Sequence, residues 1–390
     1  MAGNLRSRLA RMRDRAAPSA PRTEHQAPEA FPDGWTTIGD GIRYRETTRS
    51  GPVAPARSPV ELGAFSRRLD KLACSAGGLA FFDLETTGLS GGSGTVAFLA
   101  AFGSLRDDGA LSVRQYFMED YPAEPAFIET LSAEFSRAEA LVSYNGSSFD
   151  MPLYAVRRAM NGFGPPDPKP HADVLHAARR LWRTTIGNCS LSSIEDSVLG
   201  VRRAGDIPGS EVPEAWFDWV KRGRSGLLAR VFEHNELDVR SLAALFFLIA
   251  EAARGIGWPA ACDAVGLAGL QSRVDEALAE RTLRQAIAAE GQDARNRRAA
   301  RPLMRLLGRN GRPAERDELV GFLPDDAAGL FAKSVHAERR AGDVAEALLL
   351  AIESAKAARE GGTLAMRALK RVSRLERKLA GLVPDRHSSG

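Results

Sequence analysis

Between residues 61 and 255 the chain alternates short, nearly continuous apolar runs with longer segments whose apolar positions recur every three or four residues. The short runs, bounded by turn formers, read as strands at 79–83, 95–104, 113–118 and 140–143. The first three are close in sequence and joined by turns such as Arg106-Asp107-Asp108-Gly109, which predicts an antiparallel meander. Helical period follows at 124–138, 149–160, 174–183 and 225–254, the last with an apolar stripe of Leu228, Phe232, Val239, Leu242, Phe246 and Ile249. This order predicts an α/β domain over 35–257, a mixed sheet flanked by helices. Within it, 35–45 reads as a small strand or turn docked on the rest.

After about residue 260 strand formers fade and Ala, Leu, Arg and Glu dominate. Helix–turn–helix units are expected at 303–323 around Asn310-Gly311 and at 330–354 around Ala341-Gly342-Asp343. The two glycines are 31 residues apart, near the length of a tetratricopeptide-type repeat, although the aromatic signature of that repeat is degenerate. Residues 258–390 therefore read as an all-α, helical-repeat-like domain with a short disordered tail. Residues 1–34, rich in Arg, Pro, Ala and Ser, read as a disordered basic segment, with one short amphipathic helix at 5–12 and a linker at 17–30.

Composition narrows the class. The 390 residues are 44% hydrophobic and 26% charged, ordinary for a soluble globular protein. No apolar run approaches the roughly 20 residues that cross a membrane, and the N-terminus lacks the apolar core of a secretory signal, so a cytoplasmic location is expected. The net charge of +4 permits nucleic-acid binding. Lysine supplies only seven of the 53 basic residues, a skew that fits genome composition better than a chosen chemistry. The three cysteines, Cys74, Cys189 and Cys262, are far apart, which argues against a zinc site or a disulfide framework.

Candidate chemistry begins at Asp83-Leu84-Glu85-Thr86-Thr87-Gly88, at the end of an apolar run. Residues two apart on a strand face the same way, so Asp83 and Glu85 form a pair of anions that a divalent cation would neutralise; the bland alternative is an acidic turn. Asp150 closes Tyr144-Asn145-Gly146-Ser147-Ser148-Phe149-Asp150, between a strand and a helix, where it either serves a ligand site or offsets the helix dipole. His234 and Asp238 share a helical face roughly 60–100° to one side of the apolar stripe. They would line a cleft there, or form an exposed i,i+4 pair.

Taken together, Asp-x-Glu, Asn-x-x-x-Phe-Asp and an Asp preceded four positions earlier by a titratable residue resemble the DEDD (DnaQ-like) exonuclease superfamily. The resemblance is closer to its YprB-like bacterial family, on 82–92, His171-Ala172-Asp173-Val174-Leu175 and Asp206-Ile207-Pro208-Gly209. It implies a ribonuclease H-like fold and a 3′–5′ DNA exonuclease active in DNA repair. Asp83, Glu85, Asp150 and Asp238 would bind two divalent cations, Mg²⁺ or Mn²⁺, and His234 would serve as general base or water-orienting group. Implied partners are nucleic acid with a free 3′ end and, through the helical C-terminal domain, a helicase or other repair protein. The pattern departs from the family at His234, which stands at the four-residue spacing usual for tyrosine. Its role is therefore open among base, phosphate contact and supporting residue.

Thr86, Asn145 and Arg180 are the candidate substrate contacts, with Asn145 also read as fixing its own loop by side-chain hydrogen bonds. Asp173 reads as a helix cap more readily than as a metal contact. Arg179, Arg180, Arg183 and Trp182 either flank a nucleic-acid channel or form a solvated helix face, and Arg202 and Arg203 carry the same two readings. Trp216 and Trp219 read as packing. The glycine-rich stretch 88–94 reads as a flexible rim, since it lacks the Walker lysine. The alternative to an enzyme is a catalytically silent nucleic-acid-binding or adaptor protein working through its helical region.

Overall fold

A computed structural model describes residues 29–39, 41–49, 59–88, 94–203, 205–289 and 298–382. The expected basic helix at 5–12, most of the linker, the glycine-rich rim at 89–93 and the C-terminal tail lie outside the described residues. Among the described residues nine strands occur: β1 (Thr36–Gly39), β2 (Ile42–Thr48), β3 (Pro59–Glu61), β4 (Ala73–Ser75), β5 (Leu79–Thr86), β6 (Ala97–Leu105), β7 (Leu111–Met118), β8 (Ala140–Ser143) and β9 (His171–Asp173). Seven build one mixed sheet in the order β1-β2-β7-β6-β5-β8-β9, while β3 and β4 pair separately. The expected meander β5-β6-β7 is antiparallel, and β5-β8-β9 run parallel.

Helices cover both faces, as α/β packing requires. They are α1 (Glu124–Arg137), α2 (Asp150–Met160), α3 (Val174–Trp182), the short α4 (Leu191–Ile194), α5 (Val212–Arg222) and α6 (Leu228–Ala253). Phe82, Phe102 and Tyr116 pack toward α1, α2 and α5, whereas Phe81, Val113 and Val142 pack toward α3 and α6. Alternation along β5 thus sends Phe81, Asp83 and Glu85 to the α6 face. Gly103 of β6 lets α6 approach: a Cβ there would lie 2.7 Å from Val239 Cγ1.

Three expectations change in detail. The sheet takes β2 through seven paired residues with β7, so 35–45 is the start of two full strands. Residues 29–34, placed in the disordered segment, are docked: Glu29 accepts from Ser225 N at 2.8 Å, and Phe31 packs on Trp35, Trp219 and Phe232. β5 continues to Thr86, so both its carboxylates sit within the strand.

The C-terminal part is all-helical: α7 (Ala264–Gln271), α8 (Glu276–Ala288), α9 (Ala300–Arg309), α10 (Pro313–Glu318), α11 (Ala327–His336), α12 (Val344–Ala357) and α13 (Thr363–Leu382). Both anticipated turns are present, at Gly311 and at Gly342, which is left-handed at φ 72° where a side chain would be strained. Leu267 and Leu270 of α7 enter the core beneath the sheet. Gly266 allows this seating, since a Cβ there would fall 1.9 Å from the Arg180 carbonyl oxygen.

Candidate active site

Strand register sets the floor of the site. Asp83 stands beside Ala101, Ala101 beside Gln115 and Gln115 beside Arg45, forming one row across four strands. Asn235 of α6, fully buried, lies above this row. Its Nδ2 donates to Asp83 Oδ2 at 2.9 Å, and its Oδ1 accepts from Gln115 Nε2 at 3.1 Å. Gln115 Oε1 in turn accepts from Arg45 at 2.6 Å, and Arg45 pairs with Glu236 at 3.1 Å. Ala101 is small enough to leave room for this bridge. Sequence reasoning missed Asn235, yet a signal existed: it is the polar residue on the stripe that runs 228, 232, 235, 239, 242.

The next turn of α6 brings His234 and Asp238 to the same carboxylates. His234 Nε2 lies 3.9 Å from Glu85 Oε1 and 3.6 Å from Asp238 Oδ2, while its Nδ1 lies 2.7 Å from Asp206 Oδ1. A carboxylate only accepts, so Asp206 assigns a proton to Nδ1, and Nε2 faces Glu85 and Asp238. Arg203 Nη1, 3.0 Å from Nδ1, then donates instead to Asp206 Oδ2 at 3.3 Å. Arg203 also forks onto Glu195 at 2.6 and 2.7 Å and bonds Asp238. Of the two readings left open for Arg203, the solvated face is excluded, because its side chain is only 9% exposed.

Asp150 starts α2 and is buried. Its loop is pinned from β8 and β9. Asp173 accepts from the backbone N–H of Asn145 at 2.8 Å and of Ser147 at 3.2 Å, and caps α3 through Leu175 N–H at 3.2 Å. The capping reading of Asp173 therefore holds, with loop-holding added. Asn145 contributes a left-handed backbone (φ 70°) and that N–H.

The electrostatics tie the four acids together. Burial, then the charges of Asp238 and Asp150, push the Asp83 carboxyl well above the usual range. Glu85 rises from burial and from Asp83, Asp238 and Asp150. Burial lifts Asp150 to about 7, and also raises Asp238 despite the Arg203 guanidinium. Against the cost of its own burial, the His234 hydrogen bond holds Asp206 below its ordinary value. Among the described residues no three His, Cys, Asp or Glu side chains already stand at metal-ligating spacing; Arg203 is the cation lying on Asp238. The donor set is nonetheless all hard carboxylate oxygen in mutual repulsion, which suits Mg²⁺ or Mn²⁺.

The remaining candidates scatter. Thr86 is buried, and its hydroxyl donates to Gly88 O at 2.9 Å within the turn. Asn145 lines a cleft with Arg179 and Arg183, whereas Arg180 faces a different one. Trp182, considered for stacking on bases, is fully buried and donates to Ala260 O at 2.9 Å, because it faces the core side of α3. Trp216 is core, as expected.

The RNase_H superfamily model RNase_H_2 matches residues 80–249, the span that holds all four acids. YprB of Bacillus subtilis (strain 168), an uncharacterized protein, is 36% identical over 176 residues, covering 43% of this chain and 41% of that protein. This chain thus spans less than half the length of that relative. A solved family B DNA polymerase from Pyrobaculum calidifontis is similar over 54% of this chain and 29% of that one, at 18% identity and a TM-score of 0.34. No described helix is long and apolar enough to cross a membrane. Residues 80–249 form a ribonuclease H-like domain that matches the RNase_H superfamily, and the chain is similar to YprB over 176 residues.

Proposed function

We propose that the chain is a metal-dependent nuclease of the DEDD type, a 3′–5′ exonuclease acting on DNA in repair. The observation that carries this is the convergence of Asp83 and Glu85 on β5, Asp150 on α2 and Asp238 on α6: Asp150 and Asp238 raise the proton affinity of both β5 acids, and Asp83 that of Glu85. A fold keeps such repulsion at a cost of several kcal/mol per unpaired buried ion unless a cation completes it. Asp83, Glu85, Asp150 and Asp238 would hold two Mg²⁺ or Mn²⁺, which supply activation of water and charge stabilisation of the leaving oxygen. Asn235 fixes the Asp83 carboxylate. Asp206 fixes the His234 tautomer, so that Nε2 can take a proton from water at the Glu85 side. DNA, strand polarity and repair come from the resemblance to DEDD exonucleases. The helical C-terminal region, tetratricopeptide-like in this reading, recruits a helicase or other repair protein.

A second reading, a silent nucleic-acid-binding protein, draws on the Arg203–Asp238 pair, which already neutralises one acid. One experiment separates them: the purified full chain with Mn²⁺ is given DNA and RNA, single- and double-stranded, labelled at either end. Stepwise shortening of DNA from the 3′ end, abolished in Asp83→Asn and Glu85→Gln, is expected. Failure of the wild type to cut any of these substrates, or equal cutting by the variants, refutes the enzyme.

A further inference from the structure

Helix α3 divides two clefts. Arg179 and Arg183 face the one beside Asn145, and His176 and Arg180, also four apart, face a cavity of ≈ 970 Å³ on the other side. Arg67, Arg68, Lys169 and Arg273 line that second cavity too. Ser147, three residues before Asp150, forms part of its wall, so the cavity begins at the loop that carries a site carboxylate. It continues past Arg67, Arg180 and Arg273 into a further cavity of ≈ 620 Å³ that reaches Arg305 on α9.

Several arginines that this chain buries are ion-paired: Arg45 with Glu236 at 3.1 Å, Arg114 with Glu134 at 2.7 Å, Arg371 with Glu338 at 2.9 Å. Among the described residues Arg67, Arg68, Arg180 and Arg273 have no ion-pair partner, and Arg273 donates only to the Ala64 and Gly63 carbonyl oxygens, at 3.0 and 3.4 Å. Of the acids that line these cavities, Asp173 is engaged by the Asn145, Ser147 and Leu175 N–H groups and Glu276 by Arg309, which leaves Asp70 as the acid facing the arginines. Burial, then the charges of Arg180 and Arg67, hold Arg273 below its ordinary proton affinity; Asp70 offsets this in part. A trough of unpaired guanidinium groups that repel one another is stabilised by an anionic chain laid along it.

We propose that this trough between α3, the 65–72 segment and helices α7–α9 binds the phosphodiester backbone of a single nucleic-acid strand whose end lies at the carboxylate cluster. The proposal rests on the nuclease reading for the strand's identity, and the helical region becomes part of the strand's track rather than solely a partner-binding module. Each guanidinium that meets a phosphate of a single strand adds about 0.7 to the slope of log K against log salt.

The test uses the full chain carrying Asp83→Asn, so that strands stay intact, and reads fluorescence anisotropy of single-stranded DNA of about 6 and about 20 nucleotides. Arg67→Gln with Arg180→Gln, both exposed positions, should weaken the long strand about 25-fold near 0.1 M salt and reduce the slope by about 1.4, leaving the short strand nearly unchanged. Arg222→Gln with Arg377→Gln removes the same charge from distant surface and should change neither. An unchanged slope, equal loss in the control pair, or a parent that binds neither strand overturns the proposal. Loss of long-strand binding in the trough variant, while wild-type enzyme cuts nothing, would sink the nuclease reading and leave the trough standing. Normal cutting with an unchanged slope does the reverse.

Discussion

Replacing Arg203 with glutamine removes the one guanidinium that holds three acids. Its side chain is 9% exposed, and Glu195 beneath it is 1% exposed. The fork between them is therefore a buried ion pair, and deleting one partner strands the other in a medium that solvates it poorly. Such a deletion costs about 3–5 kcal/mol, most of it the unpaired Glu195 charge. At roughly 2–4 °C per kcal/mol for a domain of this size, the melting temperature should fall by about 6–20 °C without metal. Because the pair is out of solvent, salt near 0.5 M should change the difference little.

The double variant Arg203→Gln/Glu195→Gln should recover more than half of the loss, since it removes the stranded charge along with its partner. Added Mn²⁺ should then raise the melting temperature of Arg203→Gln more than that of wild type, because the cation no longer competes with a guanidinium for Asp238. Differential scanning calorimetry of the three proteins, with EDTA and with Mn²⁺, reads all of this. A single variant within about 2 °C of wild type, or a double variant no better than the single, would show that the Arg203–Glu195 fork does not support the fold.

Three further outcomes are expected. Asp83, Glu85, Asp150 and Asp238 bind protons more tightly when folded, so their contribution without metal is full below about pH 4 and is lost as pH rises through the folded values, about 7 for Asp150. Mn²⁺ must displace those protons, so the stabilisation it gives should grow from about pH 5.5 to about pH 8; a shift that shrinks with pH contradicts the site. Gly103→Ala puts a Cβ 2.7 Å from Val239 Cγ1, next to Asp238, and should cost about 1–3 kcal/mol by thermal melting, with Val239→Ala restoring most of it. Asp206→Ala should lower kcat about 10–100-fold with little change in KM or melting temperature, and Asp206→Asn, which can still accept from Nδ1, should recover part; steady-state kinetics on a short DNA decides.

Much of the sheet was legible because its central strands are buried on both faces and carry almost unbroken apolar runs, 97–102 above all. What stayed hidden were strands without that signature. β2 reads Ile-Arg-Tyr-Arg-Glu-Thr-Thr and owes its place to pairing with β7 along its whole length. β9 is three residues long, and its Asp173 is more visible as a cap than as a strand end. The acids of the site were legible for a different reason: a carboxylate at the end of an apolar strand, or beside an apolar helical stripe, conflicts with its surroundings. Arg203 and Asp206 had no such local conflict. They lie in a loop, and only the tertiary fold brings them to Asp238 and His234.

The same contrast separates two ways this fold treats buried charge. On one side of α6, Asp83, Asn235, Gln115, Arg45, Glu236 and Arg240 form a chain of hydrogen bonds and ion pairs in which donors meet acceptors, as low-dielectric burial requires. On the other, Asp83, Glu85, Asp150 and Asp238 face one another with, among the described residues, the Arg203 guanidinium beside them. The first network is rigid because it is satisfied, and it clamps the one carboxylate it shares with the second. A helix that was merely packing on a sheet would need neither. Asn235 occupies a stripe position where leucine would bury more apolar surface, and the fold forgoes that gain to fix Asp83 from the α6 side. Rigidity directly beside an unsatisfied acidic cluster is the arrangement a preorganised reaction centre needs, because the work of orienting its ligands is done during folding rather than during each turnover.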